Sequence, residues 1–296
     1  MKPYLRKVRY LAEYAIFITL FKLLQQFNIS RAASFCACLT RLIGPLLSVS
    51  NLARRNIKYV GLEKSDKKID SMLSDAWDNF GRFIGEFAHL SKLTDDQLSQ
   101  MIELDNMQKL VSLCETNQPF ILFTGHFANW DLALSQMSKL GKELSVVYRK
   151  ANNPYVDKII RSTRTRSNIH LIEKGPHGFK QLIRSIKAGR PIIMLVDQRM
   201  NEGIQVPFMG KPAMTADAIA RLAIQFNYKI IPAQIIRQGQ CSKFKAIIQP
   251  EIEISKTGDI ERDVYNIIEK INIIIEGWVR EHPTQWFWFH NRWGIR

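Results

Sequence analysis

The sequence predicts an α/β protein, with a mixed central sheet flanked by helices, behind a separate N-terminal helical segment. Three observations carry this. From residue 120 onward, short apolar runs alternate with amphipathic stretches, the pattern of strands and helices packed in layers. Residues 53–117 keep a helical period instead, with Met72, Trp77, Phe80, Phe83, Ile84 and Phe87 three to five positions apart. The first 50 residues form a third zone, apolar and strongly basic. The expected organisation is therefore a helical segment over 1–50 and one α/β domain over 51–296.

In the N-terminal zone, Lys2, Arg6, Lys7 and Arg9 precede the apolar run from Leu11 to Phe27. No small-residue cleavage site follows, since Gln25, Gln26, Phe27 and Asn28 come next, so the segment is expected to be retained. Glu13 and Lys22 interrupt the run, which leaves open a tilted span with snorkelling charges, a helix lying in the interface, a shallow hairpin with Phe35 to Val49, or a plain buried core helix. Residues 1–60 hold ten Lys/Arg against one acid, Glu13, and these charges flank apolar stretches. That placement fits an anionic membrane surface better than nucleic acid.

The rest of the charge is uneven too. Of the formal +15, residues 142–190 contribute twelve Lys/Arg against Glu143, Asp157 and Glu173, a second region that attracts anions. With 46% hydrophobic and 23% charged residues, a disordered or fibrous chain is excluded. Cys36, Cys38, Cys114 and Cys241 show no zinc spacing and read as buried free thiols.

Strands are expected at Phe120 to Thr124, Leu144 to Tyr148, Ile169 to Ile172, Ile192 to Val196, Lys229 to Ile235 and Phe244 to Ile248. Helices are expected at Trp130 to Lys139, Pro154 to Arg166, His177 to Lys187 and Ala213 to Phe226, with a turn at Pro207 to Gly210. Pro154 after two asparagines is a good helix start. Arg161, Arg164 and Arg166 read as a solvated helix face, and Thr215 as a residue opening a helix.

Ligands in such sheets gather outside the carboxyl ends of the strands. The first such end reads Gly125-His126-Phe127-Ala128-Asn129-Trp130-Asp131. Five positions apart on one helix, His126 and Asp131 would point about 140° away from each other. With His126 in the turn after the strand and Asp131 in the first helical turn, Asp131 is expected to orient the imidazole. His126 would then take a proton from an attacking hydroxyl. Asp197, ending another apolar strand, is a further expected site residue.

At these residues the sequence resembles the bacterial lipid A biosynthesis (late) acyltransferases, of the lauroyl/myristoyl type. Gly125 to Asp131 matches the His-x4-Asp/Glu motif of that family. The likeness continues through Tyr148-Arg149, Asn153-Pro154, Asp157, Val196-Asp197-Gln198 and Val206 to Gly210 with Ala213 and Thr215. It ends on Gln285-Trp286-Phe287-Trp288-Phe289-His290-Asn291-Arg292-Trp293. Arg199 and Met209 depart from the pattern. The resemblance implies a glycerolipid acyltransferase-like fold and transfer from an acyl carrier protein thioester to a hydroxyl of a phosphorylated glycolipid. No cofactor or metal is implied. His126 would be the base and Asp131 its partner; Arg149, Asp197, Asn129 and Arg199 would serve substrate binding. The expected location is the bacterial inner membrane, with the catalytic domain on its cytoplasmic face.

Other readings fare worse. Another glycolipid or phospholipid acceptor, or lipid hydrolysis, would use the same histidine; the absence of a Gly-x-Ser-x-Gly elbow counts against the serine form of hydrolysis. A metal site lacks a second histidine at a recognised spacing. A nucleic-acid-binding protein leaves His126 and Asp131 without a role. Trp278, Trp286, Trp288 and Trp293 read as core packing with some membrane contact, and neither His290 nor Arg292 is taken as catalytic.

Overall fold

The computed structural model describes residues 3–295; Lys2 of the N-terminal basic cluster lies outside them. Helix α1 (Pro3–Leu24) turns at residues 25–28 into α2 (Ile29–Ile43), where the Asn28 side chain accepts a hydrogen bond from the Arg31 amide, as a good N-cap does. Helices α3 (Ser48–Tyr59) and α4 (Asp66–Phe87) follow. The α2 backbone lies so close to α4 that a Cβ on Gly81 or Gly85 would collide with it, and the Thr40 hydroxyl donates to the Trp77 carbonyl at 2.7 Å. The expected boundary at residue 50 therefore falls inside α3, and α2 is part of the packed body. Among the described residues, no single helix is long and apolar enough to cross a membrane.

Helix α5 (Asp95–Met101) opens with a capping box between Thr94 and Gln97. It runs into β1 (Ile102–Asp105) and α6 (Gln108–Glu115); β1 is too short for its alternation to show in the sequence. Then come β2 (Phe120–Thr124), α7 (Trp130–Gln136), β3 (Leu144–Tyr148), α8 (Pro154–Arg164), β4 (Ile169–Glu173), α9 (Pro176–Lys187) and β5 (Ile192–Leu195). These follow the expected order closely.

The next twenty residues do not. Strands β6 (Arg199–Phe208) and β7 (Lys211–Thr215) form an antiparallel ribbon, joined at Met209 and Gly210, both at positive φ. The turn was legible, but the helix expected from Ala213 begins only at α10 (Ala218–Phe226), and Thr215 ends a strand. The reason is tertiary: Arg292 donates to the Met214 carbonyl and the Thr215 hydroxyl, holding this stretch extended. Strands β8 (Lys229–Arg237) and β9 (Phe244–Ile248) and helix α11 (Ile260–Glu281) complete the order. Of the cysteines, Cys36 and Cys114 are buried, whereas Cys38 and Cys241 are exposed, contrary to expectation.

The main sheet has seven strands in the order β1-β9-β8-β2-β5-β3-β4. Strands β8, β2, β5, β3 and β4 run parallel, while β9 is antiparallel to β8. Helices α6, α7 and α8 lie on one face; α9, α10 and α11 cover the other. The chain leaves β2 along the first face and β5 along the second, although β2 and β5 are neighbours. A crevice thus opens between their carboxyl ends, the usual binding place in such sheets.

Beside this crevice, Glu86 on α4 is fully buried. Its carboxylate accepts hydrogen bonds from Arg237 at the end of β8, Asn129 before α7, and Ser242. A buried charge that loses its partner is strongly destabilising. Arg237→Met is expected to lower unfolding free energy by about 3–5 kcal/mol, read by urea denaturation; a loss under about 1 kcal/mol would show the pair is not structural.

Candidate active site

The loop after β2 is held by the C-terminal tail. The Phe287 amide donates to the His126 carbonyl, and the Ala128 amide to the Gln285 carbonyl, each at 3.0 Å, so residues 126–128 pair with the tail as a short antiparallel bridge. Ala128 is at φ 44°, an uncommon conformation for a residue with a Cβ. Gly125 must be small, because a Cβ there would sit 2.9 Å from the Phe127 ring and 3.1 Å from Asp197 Oδ2.

His126 pairs with Asp197, not with Asp131. Its Nδ1 lies 2.6 Å from Asp197 Oδ1, and its backbone amide donates to Asp197 Oδ2 at 2.7 Å. Trp286 Nε1 also donates to Oδ2, at 2.7 Å. Asp131 is instead held by Arg164: Nε is 2.8 Å from one carboxylate oxygen and Nη2 2.9 Å from the other. The expected His126–Asp131 pair is corrected for a physical reason. Strand β5 sits directly beside β2, so Asp197 reaches the histidine, while Asp131 is turned toward α8 and neutralised there.

Burial alone would raise the Asp197 pKa. The adjacent His126 imidazole and the hydrogen bonds from His126 and Trp286 outweigh it and bring the group down to about 2. Nδ1 is engaged by this carboxylate, which leaves Nε2 as the ring nitrogen on the cavity side. The Gln198 amide is 3.4 Å from that nitrogen, and the Trp130 ring stands edge-on at 4.8 Å between centroids.

The other expected residues separate. Arg149 is exposed on the wall of the adjoining cavity. Asn129 is wholly buried: its Oδ1 accepts from the Leu132 amide, capping α7, and its Nδ2 donates to Glu86. It is therefore a positioning residue, not a substrate contact. Asp197 is 2% exposed and likewise acts from beneath His126. Arg199 is off the cavity wall, its guanidinium packed against Gly294. The expected solvated face holds for Arg161, which is exposed and donates to the Tyr148 hydroxyl. It is revised for Arg164, bound to Asp131, and for Arg166 just beyond α8, bound to Asp95 and the Leu93 carbonyl.

The tail is more than packing, and the four tryptophans are all buried. His290 accepts a hydrogen bond from the Arg199 amide at 2.9 Å, and burial lowers its pKa to about 4, so it stays neutral. Arg292, fully buried over the Phe208 ring, is lowered to about 10 by burial. No periodicity pointed to Trp286 as a partner of Asp197. Its place in the terminal aromatic cluster was the one available signal.

His126 opens on a cavity of about 860 Å³. It bends around the carboxyl ends of β3, β4 and β5 and touches both faces of the sheet. Leu134, Val146 and Leu171 line it on the α7 face; Leu182, Met194 and Ile219 line it on the α9 face. Charged side chains, among them Arg149, Lys174 and Lys180, rim it. The volume and apolar lining suit a lipid chain.

The His126–Asp197 pair thus lies beside an apolar cavity at the switch point of an α/β sheet, where enzymes of this fold class bind their ligands. The family model described as "Bacterial lipid A biosynthesis acyltransferase" matches residues 1–294, and the chain belongs to this family of acyltransferases. Among curated relatives, "Lipid A biosynthesis palmitoleoyltransferase" of Escherichia coli (strain K12) is 20% identical over 249 residues, covering 83% of this chain and 79% of that protein. "Lipid A biosynthesis lauroyltransferase" of the same organism is 21% identical over 250 residues, with the same coverage. The crystal structure of the 1-acyl-sn-glycerophosphate acyltransferase PlsC from Thermotoga maritima is 13% identical, covering 93% of this chain and 98% of that one, with a TM-score of 0.37.

The pKa values predict stability against pH in two windows. His290 is depressed from its ordinary 6.5 to about 4, so the unfolded chain binds the extra proton first. Stability falls as pH drops from about 6.5 to 4. Asp197 is depressed from 3.8 to about 2; its contribution, present above pH 4, is lost between about 4 and 2. Urea midpoints measured across this range should show the upper window flatten in His290→Gln and the lower one in Asp197→Asn. Unchanged profiles would refute both assignments.

Proposed function

We propose that the protein transfers a fatty acyl chain from an acyl carrier protein thioester to a hydroxyl of a lipid A precursor, at the cytoplasmic face of a bacterial inner membrane. Family membership supports the reaction class. The free Nε2 of His126, held at the cavity by Asp197 on Nδ1, carries the reading.

In this mechanism, His126 Nε2 takes the proton of the acceptor hydroxyl as its oxygen attacks the thioester carbonyl. The tetrahedral intermediate collapses with loss of the thiolate, which receives that proton from the imidazolium. An ester forms, a thioester breaks, and no acyl-enzyme is required. Asp197 fixes the tautomer and stabilises the imidazolium. The apolar cavity takes the acyl chain, and Arg149 at its rim offers a guanidinium to an acceptor phosphate. The Asp131–Arg164 pair joins α7 to α8 and shapes the wall beside His126.

Membrane attachment rests on the first two helices. Leu5, Ile16 and Leu20 of α1, and Phe35 and Leu42 of α2, are exposed, and Leu46 just beyond is 83% exposed. Apolar exposure on this scale, with Arg6, Lys7 and Arg9 beside it, is what an interfacial helix presents to anionic lipid.

With purified full-length protein, labelled acyl carrier protein thioester and a lipid A precursor, His126→Ala is expected to abolish transfer to the glycolipid. Asp197→Asn should lower kcat by about 10²–10⁴ with donor KM little changed, by analogy with other carboxylate-held histidine bases. Transfer undiminished in folded His126→Ala would overturn the mechanism. For attachment, Leu42→Glu with Leu46→Glu should reduce flotation with anionic vesicles severalfold; equal flotation would assign membrane binding elsewhere.

A further inference from the structure

Helix α9 carries a stripe of basic side chains that nothing in the fold explains. His177, Lys180, Arg184 and Lys187 recur at spacings of three, four and three, which places them along one side of a helix over about 15 Å. All four are exposed. The opposite side, with Leu182, Ser185 and Ile186, is buried against the sheet. The helix contains no acid, and among the described residues none of the four, nor the neighbouring Lys174, has a carboxylate within ion-pair distance. Arg190, just beyond the helix, is by contrast paired with Glu143. Like charges four apart weaken a helix by a few tenths of a kcal/mol per pair, about 0.2–0.5, so an unrelieved stripe is a local cost to the free protein.

The stripe also leads into the cavity. Phe179, 57% exposed, and Lys180 lie in the first turns of α9 and line the cavity that His126 opens on. A partner lying along α9 would hold its own end at that mouth. We propose that the α9 stripe, with Phe179 at its cavity end, is the docking surface for the acidic carrier protein that delivers the acyl thioester. This rests on the carrier-protein donor of the proposed function and adds where that donor binds. Charge complementarity gives the partner its sign, and the apolar Phe179 ring gives the contact a desolvated anchor beside the cavity. A lipid surface fits less well. Helix α1 packs on α8, on the face of the sheet opposite α9, so the stripe is not on the face that carries α1.

Arg184 and Lys187 lie away from the cavity wall and so separate docking from chemistry. The full chain carrying Arg184→Glu and Lys187→Glu is compared with wild type, using one acyl group on acyl carrier protein and on a short pantetheine thioester. The expected result is a KM for the carrier-linked donor raised about tenfold or more, kcat within about twofold, and a shallower salt dependence. Binding of fluorescently labelled, unacylated carrier protein should weaken by a similar factor, while kinetics with the short thioester stay the same. An unchanged carrier KM and unchanged carrier binding would overturn the proposal. So would equal losses with both donors, or a loss of anionic-vesicle binding with carrier kinetics intact. Failure of wild type to use carrier-linked donor, with the short thioester accepted, would overturn the donor reading itself.

Discussion

Asp197 is the group around which the rest of the site is arranged. A carboxylate this deeply buried costs several kcal/mol unless donors surround it. Here three donors do so: the His126 imidazole, the His126 amide and the Trp286 indole. The donors come from the loop after β2 and from the C-terminal tail, and the carboxylate from the end of β5, so satisfying one charge fixes three separate parts of the chain. The same contact keeps the carboxylate ionised and leaves His126 Nε2 on the cavity side. Structural satisfaction and chemical readiness are thus one arrangement.

The tail supports that arrangement by more than a single indole. Its backbone pairs with residues 126–128, and Asn79 and Asn56 on the N-terminal helices donate to carbonyls of Gln285, Trp288 and His290. Helix α4 also reaches the site from another side through Glu86, whose bond to Asn129 positions the cap of α7. The helical segment ahead of the sheet is therefore coupled to the loop that carries His126. If its exposed face lies in a membrane, the cavity mouth is held at a fixed height relative to the lipid by these same contacts.

Much of the fold was legible because its signals are local. Five buried parallel strands read as apolar runs, Pro154 and its asparagines marked α8, and Gly125-His126 marked the end of β2. What escaped was set by long-range contacts. The β6–β7 ribbon is polar on its open side and held extended by Arg292, 77 residues beyond Thr215. Arg164 and Arg166 look like a solvated face in sequence. They are pinned by Asp131 and Asp95, which belong to other elements.

The sequence alone determined the class of fold, the histidine and its place outside a strand end, and the family motifs, since each depends on neighbours within a few residues. Only the tertiary structure decided which carboxylate serves that histidine. Asp131 is five residues away and Asp197 seventy-one, yet strand order sets β5 against β2 and turns Asp131 to Arg164. Proximity along the chain does not determine proximity across a sheet, because the crossover helices are free to place any two strands side by side.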